Sequence, residues 1–218
     1  MEQKIKIDNK HYAKVEARWQ QWIVSRKAGA LAVHWLFQGI LIMESTERIF
    51  KLALDFVLSI VFGLILSIWM SAIAAIILAV LFAHTLNFLF NGQIYGVLKT
   101  FGGIRHTRQA YSNEIRWLTA MIEKESSIEY GAAYGTLARE EWSPTSDLDV
   151  RIVRKTGLLN GIRACWFALI ARSNALVHRF PLDLYVVDSY AALEIMMEKK
   201  SPVVLIDKRR AVATEVIR

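Results

Sequence analysis

Residues 52–90 form an apolar stretch of 39 residues in which Asp55 and His84 are the only ionisable side chains. A single helix of this length would measure about 58 Å at 1.5 Å per residue. Because the hydrocarbon core of a bilayer is only about 30 Å thick, two spans of about 19 residues fit it better than one. The sequence therefore predicts a transmembrane helical hairpin whose turn lies near residues 69–71, where Trp69 can occupy the membrane interface.

Asp55 and His84 lie 15 and 14 residues from Met70, the middle of the predicted turn. We therefore expect them at matching depth near the same end of the hairpin, where they can pair. Ionisable groups inside a membrane are candidates for function. The alternative is that both side chains snorkel towards the interface.

Basic residues flank the predicted hairpin on both sides. The positive-inside rule then predicts that both flanks are cytoplasmic, which two crossings of the cell membrane allow. The formal net charge of +7 agrees with this bias. A basic chain can instead bind nucleic acid or a polyanionic substrate. The flanking residues are Arg26, Lys27, Arg48 and Lys51 before the hairpin, and Lys99, Arg105 and Arg108 after it.

We divide the rest of the chain by composition. Residues 1–51 are expected to be an amphipathic or interfacial helical segment, either lying on an anionic membrane face or packed on the protein itself. Within it, the apolar run 28–43 is too short for an ordinary span. Residues 91–106 contain four glycines and are interpreted as a linker. Residues 107–218 form a soluble domain.

Helical and strand patterns alternate within residues 107–218, which predicts an α+β domain with a mixed sheet and flanking helices. The lone Cys165 lies in an apolar stretch and is expected in the core. The predicted helices cover residues 107–124, a short segment from 136, 157–178 and 189–199, and the predicted strands cover 127–133, 148–154, 182–188 and 203–207.

Two of these strands carry carboxylates. If residues 147–154 are extended, Asp147 and Asp149 point to one face while Leu148 and Val150 point to a core. In the next predicted strand, Asp183 likewise points away from the apolar face. Like charges so close repel each other unless a cation holds them, and Mg²⁺ prefers carboxylate oxygens. Three carboxylates on neighbouring strands would suit a metal-dependent phosphoryl or nucleotidyl transfer.

Gly135 and Thr136 stand between a predicted strand and a helix. Glycine permits close backbone approach, and amides at a helix start favour phosphate. The Thr136 hydroxyl can bind a phosphate oxygen or simply cap the helix.

The stretch GTLAREEWSPTSDLDVRIV resembles the nucleotidyltransferase motif of the DNA polymerase beta-like superfamily, in the style of its minimal nucleotidyltransferase branch, G-S-x-A-R-G-x-x-x-x-x-S-D-x-D. Asp183 takes the place of the third, downstream carboxylate. Thr136 replaces the usual Ser and Glu140 replaces the usual Gly. The matching positions are Gly135, Ala138, Arg139, Ser146, Asp147 and Asp149.

The resemblance implies an enzyme that transfers a nucleoside monophosphate from an NTP such as ATP to a hydroxyl, releasing pyrophosphate. Asp147, Asp149 and Asp183 would hold two Mg²⁺ ions, or Mn²⁺, and Asp183 would help to deprotonate the acceptor. Gly135 and Thr136 would contact the β- and γ-phosphates. Arg139 would neutralise phosphate charge or pair with a carboxylate, and Ser146 would orient the strand entry.

Three functions remain open at this point. The first is a membrane-anchored transferase whose acceptor is itself at the membrane: a lipid, a glycan or a protein. The second is a non-catalytic nucleotide-binding or scaffolding subunit of a membrane complex. The third is an antitoxin-like enzyme that modifies nucleic acid, and the predicted membrane hairpin argues against this function.

Arg163, Arg172 and Arg179 form either an acceptor-side basic face or an ordinary solvated helix face. The pattern does not indicate an oligomeric state.

Overall fold

The computed structural model of the chain describes residues 27–100, 104–195 and 201–209. The amphipathic helix expected within residues 1–27 lies almost wholly outside the described residues, as does the end of the helix expected at 189–199. The apolar run that follows residue 27 forms helix α1 (Lys27–Phe37) and a short 3₁₀ helix (Ile40–Ile42).

Two helices in the described part of the chain are long and apolar enough to cross a membrane: α2 (Ser45–Leu66) and α3 (Ala72–Phe90). At 1.5 Å per residue they measure about 33 Å and about 28 Å, close to the thickness of a hydrocarbon core. The predicted turn is confirmed, since the residues between Leu66 and Ala72 connect the two helices. Helix α2 begins seven residues before the predicted start of the hairpin, because Glu47 and Lys51 are buried within the protein.

Small residues let α2 and α3 approach each other. Ala75, Ala79 and Ala83 recur every four residues along one face of α3 and are buried. A Cβ placed on Gly63 of α2 would lie 3.7 Å from Ala79 Cβ. Small residues at this spacing are typical of closely packed membrane helices.

The predicted pairing of Asp55 with His84 is confirmed. His84 Nδ1 lies 2.7 Å from Asp55 Oδ2, and His84 Nε2 lies 2.9 Å from the carbonyl oxygen of Trp35. The Gln38 amide also donates to the His84 carbonyl over 2.7 Å. Helix α1 and the residue that follows it therefore attach to the hairpin at the depth of the hydrogen bond between Asp55 and His84.

Residues 94–100 form helix α4 (Ile94–Thr100) where we expected a linker without regular structure. Gly96 does not break this helix. A Cβ at this position would stand 3.0 Å from His34 Cε1. The absence of a side chain on Gly96 therefore allows α1 and α4 to pack closely.

The remaining elements form an α+β unit with a four-stranded mixed sheet, as predicted. The elements in chain order are α5 (Arg108–Lys124), β1 (Ile128–Ala133), α6 (Gly135–Arg139), β2 (Leu148–Arg154), α7 (Leu158–Val177), β3 (Leu182–Val187), α8 (Tyr190–Ile195) and β4 (Val203–Asp207). The strands lie in the order β3–β2–β1–β4, with β2 and β3 parallel and the other neighbours antiparallel.

Alternation along β2 and β3 separates the two faces of the sheet. Leu148, Val150 and Ile152 point into the main core with Leu184 and Val186, beneath α5 and α7. Burial raises the pKa of the Cys165 thiol, which belongs to the same core, to about 12. The opposite face carries Asp149 and Asp183 and is partly covered by α8.

Side chains from other elements bind the outer edge of β3. Glu47 of α2 accepts a hydrogen bond from the Val186 backbone N–H over 2.8 Å, and the Arg172 Nε of α7 donates to the Leu184 carbonyl over 2.9 Å. The Arg172 guanidinium and the Glu47 carboxylate also form an ion pair, and each side chain is only 3% exposed. Both of our interpretations of Arg172 were therefore wrong: it belongs neither to an acceptor-side face nor to a solvated one.

Candidate active site

Asp149 and Asp183 are direct register partners on the parallel strands β2 and β3. Paired residues on adjacent strands point to the same face, and adjacent strands lie about 4.8 Å apart. The sequence-based expectation that Asp183 stands beside Asp149 is therefore met. Asp147 lies one residue before β2, at the entry to the same strand.

The first residue of α6 packs against this pair. Gly135 has φ +62°, a conformation that favours glycine, and a Cβ at that position would overlap Asp149 Oδ2 and stand 3.1 Å from Asp149 Cγ. The Tyr134 backbone N–H also donates to the Asp149 carbonyl over 2.8 Å. The glycine is required here for two independent reasons, the backbone conformation and the space taken by the carboxylate.

Two hydroxyls fix the backbone at Asp147. The Thr136 Oγ1 and the Tyr111 hydroxyl each donate to the Asp147 carbonyl oxygen over 3.3 Å. Burial raises the pKa of Tyr111, so this phenol remains a donor at neutral pH. Sequence reasoning did not identify Tyr111. The amphipathic pattern of its helix indicates that Tyr111 faces the core. The pattern does not indicate that Tyr111 contacts Asp147, 36 residues away.

Arg151 supplies a positive charge beside the carboxylates. Its Nη2 lies 3.5 Å from Asp183 Oδ2, and its Nη1 donates to the Asp183 carbonyl over 3.0 Å. Burial opposes the charged guanidinium, but the charges of Asp183 and Asp149 outweigh it and raise the pKa of Arg151. The guanidinium also stacks 4.4 Å from the centre of the Tyr185 ring. Arg151 shares the strand face of Asp149, as its position in the sequence indicates.

The other two candidates make local contacts. Ser146 is buried, and its Oγ accepts a hydrogen bond from the Ser143 backbone N–H over 2.9 Å, which holds the loop that enters β2. Arg139 pairs with the exposed Glu141 over 2.9 Å. Glu140, which stands where the resembled motif has glycine, adopts φ +60°, so this position retains the left-handed conformation that glycine favours.

A cavity of about 400 Å³ lies between α5 and α6. Of the candidate residues, Thr136 lines it, and none of the three carboxylates does. The cavity therefore extends from the glycine turn towards α5, away from the Asp149–Asp183 pair. Other lining residues include Arg108, Tyr111, Glu140 and Trp142.

The donor chemistry of Asp149 and Asp183 fits a hard divalent cation, because both offer carboxylate oxygens from adjacent positions of one sheet face. Within residues 27–100, 104–195 and 201–209, no group of three or more His, Cys, Asp or Glu side chains is arranged to hold a metal ion. The pair is instead partly neutralised by Arg151.

No family model, curated protein or solved structure matches the chain.

Proposed function

We propose that this protein is a membrane-anchored, Mg²⁺-dependent nucleotidyltransferase of the DNA polymerase beta-like superfamily. It transfers a nucleoside monophosphate from an NTP to a hydroxyl acceptor at the cytoplasmic face of the cell membrane. The observation that carries the proposal is the register pairing of Asp149 with Asp183 beside the Gly135 turn. The motif residues and the downstream carboxylate thus share one small region of a mixed sheet.

In this mechanism the acceptor oxygen attacks the α-phosphorus, the bond from that phosphorus to the α–β bridging oxygen breaks, and pyrophosphate leaves. Asp183 takes part in accepting the hydroxyl proton. The Gly135 and Thr136 amides bind the β- and γ-phosphates, and the Thr136 hydroxyl exchanges its bond to the Asp147 carbonyl for one to a phosphate oxygen. Mg²⁺, held by Asp147, Asp149 and Asp183, would lower the pKa of the acceptor and offset the negative charge of the phosphates.

Arg139 of the sequence motif and Arg151 of β2 are the two candidate cations for the phosphates. Arg151 lies on the face of Asp149 and pairs with Asp183. Its guanidinium would donate charge-assisted hydrogen bonds to a phosphate oxygen of the bound nucleotide. Arg139 is held by Glu141 at the end of α6 and would bind the outer phosphates.

A contact between the outer edge of the sheet and the apolar hairpin supports a membrane location for the acceptor. Asp183 lies on β3, and this strand is hydrogen-bonded along its outer edge to Glu47 at the start of α2. The candidate base is therefore on the strand closest to the hairpin. Anchoring also raises the local concentration of a membrane-linked acceptor, such as a lipid headgroup, a glycan or a membrane protein.

The test uses the full chain purified in detergent with Mg²⁺ and each α-labelled NTP, with native membranes as the source of acceptor. We expect transfer of label together with release of pyrophosphate. Asp149→Asn should reduce both at least about 100-fold, the upper range for loss of a supporting residue at a metal site. The matched control is Asp207→Asn on β4, the far strand of the sheet, which should retain activity. Equal activity in the two variants would refute the proposal.

A second candidate, a non-catalytic nucleotide-binding or scaffolding subunit, is favoured by the Arg151–Asp183 ion pair. That pair neutralises a carboxylate without a metal ion. In this case the wild-type protein binds NTP, but neither transfers label nor releases pyrophosphate with any of the four nucleotides.

A further inference from the structure

Helix α7 presents an apolar stripe to the outside of the protein. Leu159, Ile162, Trp166, Ile170 and Val177 recur at the spacing of one helix face, and all are exposed; Leu159 is 76% and Trp166 is 51% exposed. The opposite face of α7 packs on the sheet through residues such as Ala164 and Ala168. A helix on the surface of a water-soluble domain normally carries polar residues on its outer face.

The stripe itself contains no charge. The two charged side chains of α7 are Arg163 and Arg172. Arg163 lies on the flank and pairs with Glu125 over 3.2 Å, and Arg172 is buried against Glu47. Contiguous apolar surfaces on folded proteins commonly mark interaction sites.

The stripe continues directly into the hairpin. The rings of Trp166 and Phe50 of α2 meet edge to face with centres 6.3 Å apart. Further along α7, Ser173 Oγ lies 3.3 Å from the Phe90 carbonyl oxygen of α3. Both helices of the hairpin therefore touch α7 at their ends remote from the turn.

These two contacts also give the direction of α7. Phe50 is 16 residues before Leu66 and Phe90 is 18 residues after Ala72, so both lie about 24–27 Å from the turn at 1.5 Å per residue. Trp166 and Ser173 are seven residues apart, or about 10 Å along α7. This matches the spacing of about 8–10 Å between packed helices. Helix α7 therefore runs across the end of the hairpin, from α2 to α3.

We propose that α7 is an interfacial helix that places its apolar stripe in the surface of the lipid bilayer. A helix that crosses the end of a membrane hairpin lies parallel to the membrane plane, at the depth where Trp side chains and amphipathic helices settle. The apolar side chains of the stripe, the absence of charged residues within it and its contact with Phe50 all indicate that lipid covers it. This inference rests on the membrane anchoring in the proposed function and is independent of the proposed catalysis.

The test places an NBD fluorophore on single introduced cysteines in the full chain, reconstituted in phosphatidylcholine–phosphatidylglycerol vesicles. The native Cys165 stays in place because it is buried. The stripe variants are Ile162→Cys and Ile170→Cys, at residues that are 46% and 47% exposed. Ile76→Cys, on the exposed side of α3, is the control for lipid, and Glu123→Cys, exposed on α5, is the control for water.

For both stripe positions we expect loss of fluorescence with doxyl-labelled lipids, as for Ile76→Cys, and no loss with aqueous iodide. Quenching of the stripe by iodide, with Ile76→Cys still quenched by lipid, would overturn the inference and leave the anchored transferase intact. Protection from both quenchers would also overturn it, since a second copy or another protein then covers the stripe. Failure of lipid to quench Ile76→Cys would remove the membrane anchor itself and the inference with it.

Discussion

The Asp149 carboxylate occupies the space in which a side chain on Gly135 would stand. The two residues come from different elements, the first residue of α6 and the second residue of β2, and their contact joins the turn proposed to bind phosphate to the second carboxylate of the resembled motif. The position of Asp149 in the sheet is therefore coupled to the conformation of the turn.

The first prediction concerns Gly135→Ala. The left-handed backbone costs an ordinary residue about 1–2 kcal/mol of folding free energy, and the new Cβ also displaces Asp149. A displacement of about 1 Å lowers turnover about 100-fold, so we expect a far larger loss of transferase activity than of stability. Activity and thermal unfolding of the purified variant provide the two measurements.

The control is Gly157→Ala, which precedes α7 and also has positive φ, +99°. The atom nearest to its added Cβ is Asn160 Nδ2 at 3.8 Å, so this variant carries backbone strain without overlap. It should lose stability and keep its activity per folded molecule. Equal activity losses in both variants would show that the Asp149 contact has no role.

The second prediction concerns the cation at the carboxylates. Arg151→Gln leaves Asp149 and Asp183 without the positive charge that partly neutralises them, so the variant gains more from a bound divalent ion than the wild type does. We expect Mg²⁺ to raise the Tm of Arg151→Gln by more than it raises that of the wild type. The same increments in the two proteins would contradict this, and Arg163→Gln, at an exposed ion pair, serves as the control.

The third prediction concerns the buried pair between α2 and α7. Arg172→Met leaves the Glu47 carboxylate buried without its partner, which costs about 3–5 kcal/mol of unfolding free energy. The double variant Glu47→Met/Arg172→Met should be more stable than the sum of the two single losses indicates, by about 1–3 kcal/mol. Chemical unfolding in detergent measures this cycle. Strict additivity would show that the pair makes no net interaction, while Arg163→Met should cost at most about 1 kcal/mol.

The fourth prediction concerns the Cys165 thiol. Because burial raises the pKa of Cys165 to about 12, almost none of it is thiolate at pH 8, and the thiolate is the reactive species. Alkylation of the native protein at pH 8 should be at least about 1,000-fold slower than alkylation of the denatured chain. Mass spectrometry after timed exposure to iodoacetamide measures both rates. Rapid modification of the native protein would place this thiol outside the core.

Much of the fold was predictable from the sequence because length and alternation constrain it strongly. The 39-residue apolar stretch is too long for one span, so its turn near Met70 followed from membrane thickness. Alternation in β2 and β3 indicated that Asp149 and Asp183 point away from the core. The boundaries of the soluble-domain strands agree with the prediction to within a residue or so.

Contacts between distant residues were not predictable in this way. Arg172 and Glu47 are 125 residues apart, so the partner that buries each of them is invisible in its own helix. The same reason explains the start of α2: Glu47 and Lys51 read as a polar flank until the protein around them is known. At Gly96, the close approach of His34 explains a glycine that we interpreted as a break.

The outer edge of β3 has a consequence for assembly of the chain. An open strand edge can recruit a strand from another molecule, which leads to aggregation. Here Glu47 and Arg172 already occupy backbone groups of that edge, and Glu47 belongs to the apolar hairpin. If the hairpin spans the membrane as proposed, a newly made chain whose hairpin has not yet entered the bilayer leaves the Val186 N–H of β3 without Glu47. Insertion then protects this strand edge as well as anchoring the sheet, so uninserted copies are the ones that should aggregate.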